Sequence, residues 1–134
     1  MFVDACAIVA LLAGEATAPA YETALNAAQA PWTSPLAVWE AIIVIARPGQ
    51  LDCTFGIAMK AVLSWLENRN IALRQVADAN AVLRHAVAVA QLQGVGRRGL
   101  SALDCFHYAY AKSAGAVLLT LDERLRATDV ATRP

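Results

Sequence analysis

The chain has 134 residues, the size of one domain that can bury a real core. Hydrophobic residues make up 58% and charged residues 16%, with 11 basic and 11 acidic side chains and zero formal net charge. That balance excludes nucleic-acid binding through bulk positive charge and leaves only a local patch for it, while so apolar a small surface suggests cover by a partner or a second copy.

The first residues, "MFV", are apolar and β-compatible and end at Asp4. "ACAIVALLAG" then predicts a short helix stopped by Gly14. It falls far short of the ~20 residues needed to span a bilayer, and Asp4 stands where a signal peptide carries positive charge. "TAPAYETALNAAQA" predicts a second helix with Pro19 near its start, and "PWTS" a short strand. Ser34-Pro35 is a strong helix start, with serine as N-cap and proline in the first turn, for "PLAVWEAIIVIAR". "LDCTFGIAMKAVLSWLENRN" is expected to be helical despite Gly56, and "IALRQV" is the best candidate for an interior strand.

Asp78 caps "DANAVLRHAVAVAQLQ", whose expected buried face is Ala79, Val82, Leu83, Ala86, Val87 and Ala90. The next residues, "GVGRRG", match the G-x-G-x-x-G of dinucleotide-binding loops, with Asp122 about where such loops place a ribose-binding acid. That motif needs a strand before it and a helix after it. A helix precedes Gly94, so the stretch reads as a flexible connection between helices. Ser101 and Asp104 form an S-x-x-D capping box for a helix through "CFHYAYAKSAG". "AVLLT" predicts a buried strand and "ERLRA" a short last helix. Strands alternating with helices over one domain, residues 1–134, imply an α/β sandwich around a mostly parallel sheet. Cys6, Cys53 and Cys105 are odd in number and lack metal-site spacing. They point to a reducing, cytoplasmic setting with neither a disulfide framework nor zinc.

Four acids stand out. Ligands of open parallel sheets bind at the carboxyl ends of strands, where Asp4 and Asp122 both belong. Glu40 and Asp104 lie in the opening turns of their helices, and Asp4, Glu40 and Asp104 sit in otherwise apolar runs, where a carboxylate is costly unless satisfied. Each has a plainer reading: Asp4, Asp104 and Asp122 as helix caps, Glu40 as a solvated or paired acid. Together they suit a hard divalent cation, Mg²⁺ or Mn²⁺, which takes oxygen ligands and keeps waters that leave room for a phosphate. Such ions assist phosphodiester cleavage.

The segments "FVDACAIVALL", "SPLAVWEAI" and, most specifically, "LSALDCFHYAYAKSAGAVLLTLDERL" resemble the PIN-domain family and, within it, VapC-type toxins. The resemblance covers most of the chain, with the middle helices matching in pattern only. It implies a three-layer sandwich with a mostly parallel central sheet flanked by helices. It also implies a metal-dependent endoribonuclease that cuts single-stranded RNA such as tRNA or mRNA, a cognate antitoxin, and commonly a homodimer. The family's first, second and third acids fall on Asp4, Glu40 and Asp104. The fourth falls on Asp122, with Glu123 or Asp129 as alternatives. On this reading Asp4 and Asp104 hold the ion directly, and Glu40 and Asp122 complete the site directly or through water. Where the family often has Ser or Thr two residues after the first acid, this chain has Cys6, and a thiol is expected to be a poor partner for Mg²⁺ or a carboxylate.

Arg97 and Arg98, just before the Asp104 helix, read as phosphate or antitoxin contacts, or as two solvated loop arginines. His107 and Tyr108 share or border the face of Asp104. They read as a core or dimer-interface pair, with substrate contact as the functional alternative. Trp32, Trp39 and Trp65 read as core or interface, and His85 as partly exposed. Two other functions compete with the nuclease. One is a PIN-like module that acts mainly by binding a partner. The other is a phosphotransferase of the haloacid-dehalogenase type, which needs a second aspartate where Cys6 stands.

Overall fold

Strand β1 (Phe2–Val3) lies at the centre of the sheet because both its residues are fully buried apolar side chains with no polar face. The computed structural model describes residues 1–134. After β1 come α1 (Ala5–Ala13), α2 (Ala18–Asn26), β2 (Trp32–Thr33), α3 (Pro35–Ile45), α4 (Phe55–Asn68) and β3 (Ala72–Leu73). The second half contains α5 (Ala79–Gln93), α6 (Ala102–Ser113), β4 (Leu118–Leu119), α7 (Glu123–Arg126) and β5 (Thr132–Arg133). All five strands are parallel, in the order β3-β2-β1-β4-β5, with Phe2 opposite Trp32 on one side and Leu118 on the other.

The chain steps outward from β1 to β3, then crosses to β4 and steps outward again. Right-handed crossovers therefore place α1–α4 on one face and α5–α7 on the other, in keeping with the packing of α1 on α3 and of α5 on α6. This is the expected α/β sandwich. Its strand order reverses between β1 and β4, the point at which open parallel sheets bind ligands.

Local chemistry sets the helix starts. Ser34 Oγ accepts from Ala37 N, Thr54 from Ile57 N and Asp78 from Ala81 N, and Ser101 with Asp104 forms a full capping box. Helix α4 accordingly begins at Phe55 rather than Leu51.

Three expectations are corrected. "IALRQV" is an edge strand, not an interior one: β3 pairs only with β2, and Leu73 is 47% exposed. Its apolar residues reflect helix packing on one side rather than burial on both. On α5 the buried residues are Val82, Ala86 and Val89, whereas Leu83 and Val87 face solvent and Ala79 is exposed. The apolar stripe is wider than the face that α6 covers. Strand β5, which sequence periodicity did not mark, adds a second edge beside β4.

The "GVGRRG" connection is also not slack. Leu100 N donates to Gly94 O, Gly96 N to Leu100 O and Gly99 N to Gly96 O, and the Arg124 guanidinium reaches the carbonyls of Gly99 and Arg97. Gly99 backs directly onto the Gly94 carbonyl, leaving no space for a Cβ, whereas a Cβ on Gly56 meets only the Thr54 hydroxyl at 3.9 Å. Gly99→Ala should therefore cost about 1–3 kcal/mol through overpacking. Gly56→Ala in the same protein should gain about 0.5–1 kcal/mol. Denaturant titration of both variants checks the opposite signs; equal effects would contradict this account of the loop.

Candidate active site

Asp4 leaves the end of β1 and caps α1, accepting from Ala5 N at 2.8 Å. Its side chain is almost fully buried, so its charge needs partners. Thr120, just past β4, donates to Oδ2 at 2.8 Å, and the Cys6 thiol donates to the same oxygen at 2.9 Å. Cys6 also lies 3.2 Å from the Tyr21 hydroxyl and 3.3 Å from Thr120 Oγ1. The expectation that a thiol serves this carboxylate poorly is corrected: Cys6 is one of its donors. Burial and then the Asp4 charge push the thiol up to about 12, so it remains protonated and able to donate. Tyr21 in turn accepts from Leu121 N at 2.9 Å, tying α2 to the end of β4.

His107 is the residue that sequence reasoning undervalued. It is fully buried on α6, as a core reading requires, but it stands between two of the four acids. Nδ1 is 2.7 Å from Asp4 Oδ1, and Nε2 is 3.4 Å from Glu40 Oε2. Neither nitrogen meets hydrogen-bond geometry in these contacts, and Glu40 Oε2 likewise has no hydrogen-bond partner. They are charge contacts with poor directionality. The available signal was spacing: three residues after Asp104, His107 occupies the same helix face.

The electrostatics follow from this contact. Burial alone would raise Asp4, but the His107 charge and the surrounding donors more than offset it and hold Asp4 below the ordinary carboxylate range. Burial opposes a charged imidazole, yet Asp4, Glu40 and Asp104 together hold His107 above its ordinary range. Glu40 is raised, by burial first, with the Asp4 and Asp104 charges adding to the effect and His107 opposing it.

The other predicted residues are placed differently. Asp104 is half-buried and accepts from Ser101 N at 2.8 Å, so its cap reading holds while its charge still acts on His107 and Glu40. Asp122 caps α7, accepting from Arg124 N and Leu125 N. It joins the Asp4 web only through its own N–H, which donates to Thr120 Oγ1 at 3.1 Å. Asp129 is taken up by the Tyr108 hydroxyl and by Lys112, each at 2.7 Å, toward the far end of α6. Glu123 is exposed and lines a cleft of about 290 Å³ with Arg98 and Arg124. Arg97 is exposed as well. A second cleft, about 220 Å³, opens beside the acids and is lined by Glu40, Cys6 and Glu15 among others.

As they stand, no three His, Cys, Asp or Glu side chains are arranged so that they could hold an ion. The donor chemistry is nevertheless of the kind that takes one: the Asp4 and Glu40 carboxylates lie on either side of His107 near the switch point, and Glu40 Oε2 is buried without a hydrogen-bond partner. Among the tryptophans, Trp32 is buried, Trp65 half-buried, and Trp39 is 48% exposed with its ring 6.0 Å from that of Phe55.

A family model described as the PIN domain matches residues 1–131. The chain belongs to the PIN-domain family. A VapC ribonuclease of Mycobacterium bovis is 32% identical to it over 133 residues, covering 98% of this chain and 97% of the relative. A ribonuclease VapC of Mycolicibacterium smegmatis is 35% identical over 136 residues, covering 98% of each. Among solved structures, VapC20 of Mycobacterium tuberculosis, described as a sarcin–ricin loop cleaving toxin, superposes with a TM-score of 0.73 at 18% identity, over 99% of this chain and 98% of that one. The VapBC-1 structure from nontypeable Haemophilus influenzae gives 0.66 at 17% identity, over 98% and 95%. At those identities the two structures establish the fold. In this PIN domain no helix is long and apolar enough to cross a membrane.

The buried pair in this PIN domain sets a pH dependence in metal-free protein. Asp4 is depressed, so its contribution to stability is present above its ordinary value of 3.8 and lost only as pH falls through the depressed one. His107 is raised, so its contribution is complete below 6.5 and lost as pH rises through the raised value. Raised Glu40 adds a loss that begins as pH climbs above its ordinary 4.5 and is complete above its raised value, because ionising it in the folded state is unfavourable. In chelator, the melting temperature should therefore peak in mild acid and decline from pH 6 to pH 9, and His107→Ala should flatten that decline. A flat wild-type profile would refute the charge assignment.

Proposed function

We propose that this chain is a metal-dependent endoribonuclease that cleaves single-stranded RNA, tRNA or mRNA, and is the toxin of a toxin–antitoxin pair. The observation that carries the reading is the buried acidic centre at the β1/β4 switch point, where Asp4 and Glu40 face one another across His107 and Asp104 adds its charge. The ribonuclease names of relatives at 32% and 35% identity support the same activity. Asp4 and Asp104 would hold Mg²⁺ or Mn²⁺ directly, and Glu40 and Asp122 would complete the site directly or through water. When bound, such an ion supplies positive charge for the phosphate and acidifies water at neutral pH.

The chain's own residues orient the reaction. Thr120, Cys6 and the Ala5 N–H fix the Asp4 carboxylate, so little reorganisation is needed when substrate arrives. Glu40 lines the cleft beside the acids, and its raised carboxyl suits it to hold and release a proton near the attacking water. Arg97 and Arg98 are exposed on the loop before α6 and can take RNA phosphates. The exposed apolar side chains include Trp39, Phe55 and Ile57 on α3 and α4, and Leu83, Val87 and Leu92 on α5. They support cover by a cognate antitoxin and by a second copy.

A second reading, a catalytically weak module that acts by binding its partner, is favoured by one observation: Asp104 and Asp122 already serve as helix caps. Asp104→Asn separates the two. An asparagine amide oxygen can still accept from Ser101 N in the capping box, so the melting temperature should change little while RNA cleavage with Mn²⁺ falls roughly 10²-fold or more. Loss of toxicity without loss of antitoxin binding would exclude the binding-module reading. Wild-type protein that cleaves no RNA with Mn²⁺, or an Asp104→Asn variant that cleaves at the wild-type rate, would exclude the nuclease.

A further inference from the structure

The hydroxyl and thiol protons around Asp4 each have one direction to take. A carboxylate only accepts. Thr120 donates its single proton to Asp4 Oδ2 at 2.8 Å, and Cys6 donates its own to the same oxygen at 2.9 Å. The Cys6 sulfur is then left to accept, so the Tyr21 hydroxyl, 3.2 Å away, is the donor to it. The Tyr21 oxygen in turn accepts from Leu121 N at 2.9 Å, and Thr120 Oγ1 accepts from Asp122 N at 3.1 Å. Two successive backbone N–H groups are thus linked to one carboxylate oxygen, Asp122 through Thr120, and Leu121 through Tyr21 and Cys6. The thiol is the weakest member of the longer path. Cys6 is only partly buried and lines the cleft beside the acids. Tyr21 is 2% exposed, does not line that cleft, and reaches Cys6 from α2.

We propose that Tyr21 is a positioning residue of this site. Its hydroxyl turns the Cys6 thiol toward Asp4 and holds the Leu121–Asp122 backbone against the same carboxylate. Asp4 and Asp122, which come from opposite ends of the chain, thereby keep one relative placement. The proposal rests on the metal-dependent nuclease reading given above, in which both acids take part. It differs from a plain structural anchor for α2, which would contribute to stability alone. Outer groups that orient the residues of a metal site typically change metal affinity or activity about 10–100-fold when removed.

Tyr21→Phe in the full chain tests it, since phenylalanine keeps the ring and removes only the hydroxyl. With Mn²⁺ and single-stranded RNA, kcat should fall roughly tenfold or more while KM for RNA stays at the wild-type value, and calorimetry should show Mn²⁺ binding roughly tenfold weaker. Cys6→Ala cuts the longer path by itself, so adding Tyr21→Phe to it should reduce kcat by a smaller factor than Tyr21→Phe does in wild type. A Tyr21→Phe variant with a lowered melting temperature but wild-type kcat and Mn²⁺ affinity would overturn the positioning role and leave the nuclease reading standing. Equal fold-losses in the two backgrounds would do the same. Should Tyr21→Phe fail to fold, amide hydrogen exchange of the wild-type chain still bears on the path: Leu121 N–H should be protected, and exchange at the rate of a free amide would overturn the proposal. A wild-type chain that cleaves no RNA with Mn²⁺ would overturn both readings.

Discussion

A carboxylate buried at the end of the central strand is the constraint around which the rest of this structure is arranged. Asp4 has almost no access to water, so its charge must be met by the protein. Four groups meet it, from four places in the chain: the Ala5 N–H at the start of α1, Cys6 one residue further, Thr120 after β4, and His107 on α6. Satisfying one side chain thereby joins the first residues of the chain to residues more than a hundred positions away. It draws together the two strands between which the sheet reverses its order. The apolar core provides the driving force, and Asp4 dictates what must lie at its upper rim.

That arrangement creates a second problem. Glu40 enters the same low-dielectric region from α3, and Asp104 acts on it from α6. Three like charges would repel one another. In the protein as it stands His107 lies between two of them, and Glu40 responds by holding its proton more tightly. A partly unsatisfied acidic centre is poor for stability and is the feature on which the proposed function rests. Placing it at the strand ends, where the backbone opens outward, lets a substrate reach it while Asp4 and His107 stay shielded.

The loop from Gly94 to Gly99 has a related role. It resembles a phosphate-binding sequence but follows helix α5 and not a strand. Its glycines let the chain fold back so closely that Gly99 lies against the Gly94 carbonyl, with Arg124 clamping the result. The turn delivers Ser101 to its cap and so fixes the direction in which α6 leaves. Because α6 carries both Asp104 and His107, the tightness of that turn bears on the site.

Much of this was legible in the linear chain. Ser34-Pro35, Asp78 and the Ser101–Asp104 box announce their helices because capping is local chemistry, decided within three or four residues. The acids Asp4, Glu40 and Asp104 stood out as charges in apolar runs, and the family resemblance drawn from the same stretches agrees with the PIN-domain match over residues 1–131. Other features depended on partners distant in sequence. Two-residue strands leave no periodicity, so β5 has no signature in the linear chain and β3 reads as an interior strand, because an edge is defined by the neighbour a strand lacks. Cys6 changed from a defect to a hydrogen-bond donor once Asp4, Thr120 and Tyr21 surrounded it. His107 looked like one more residue of a packed helix, since nothing in "CFHYAYAK" says that its ring lies between Asp4 and Glu40. Residue types and short spacings determined which groups could do chemistry here. Only tertiary packing, by removing water and setting charges from α3, α6 and the end of β1 against one another, decided which of them meet.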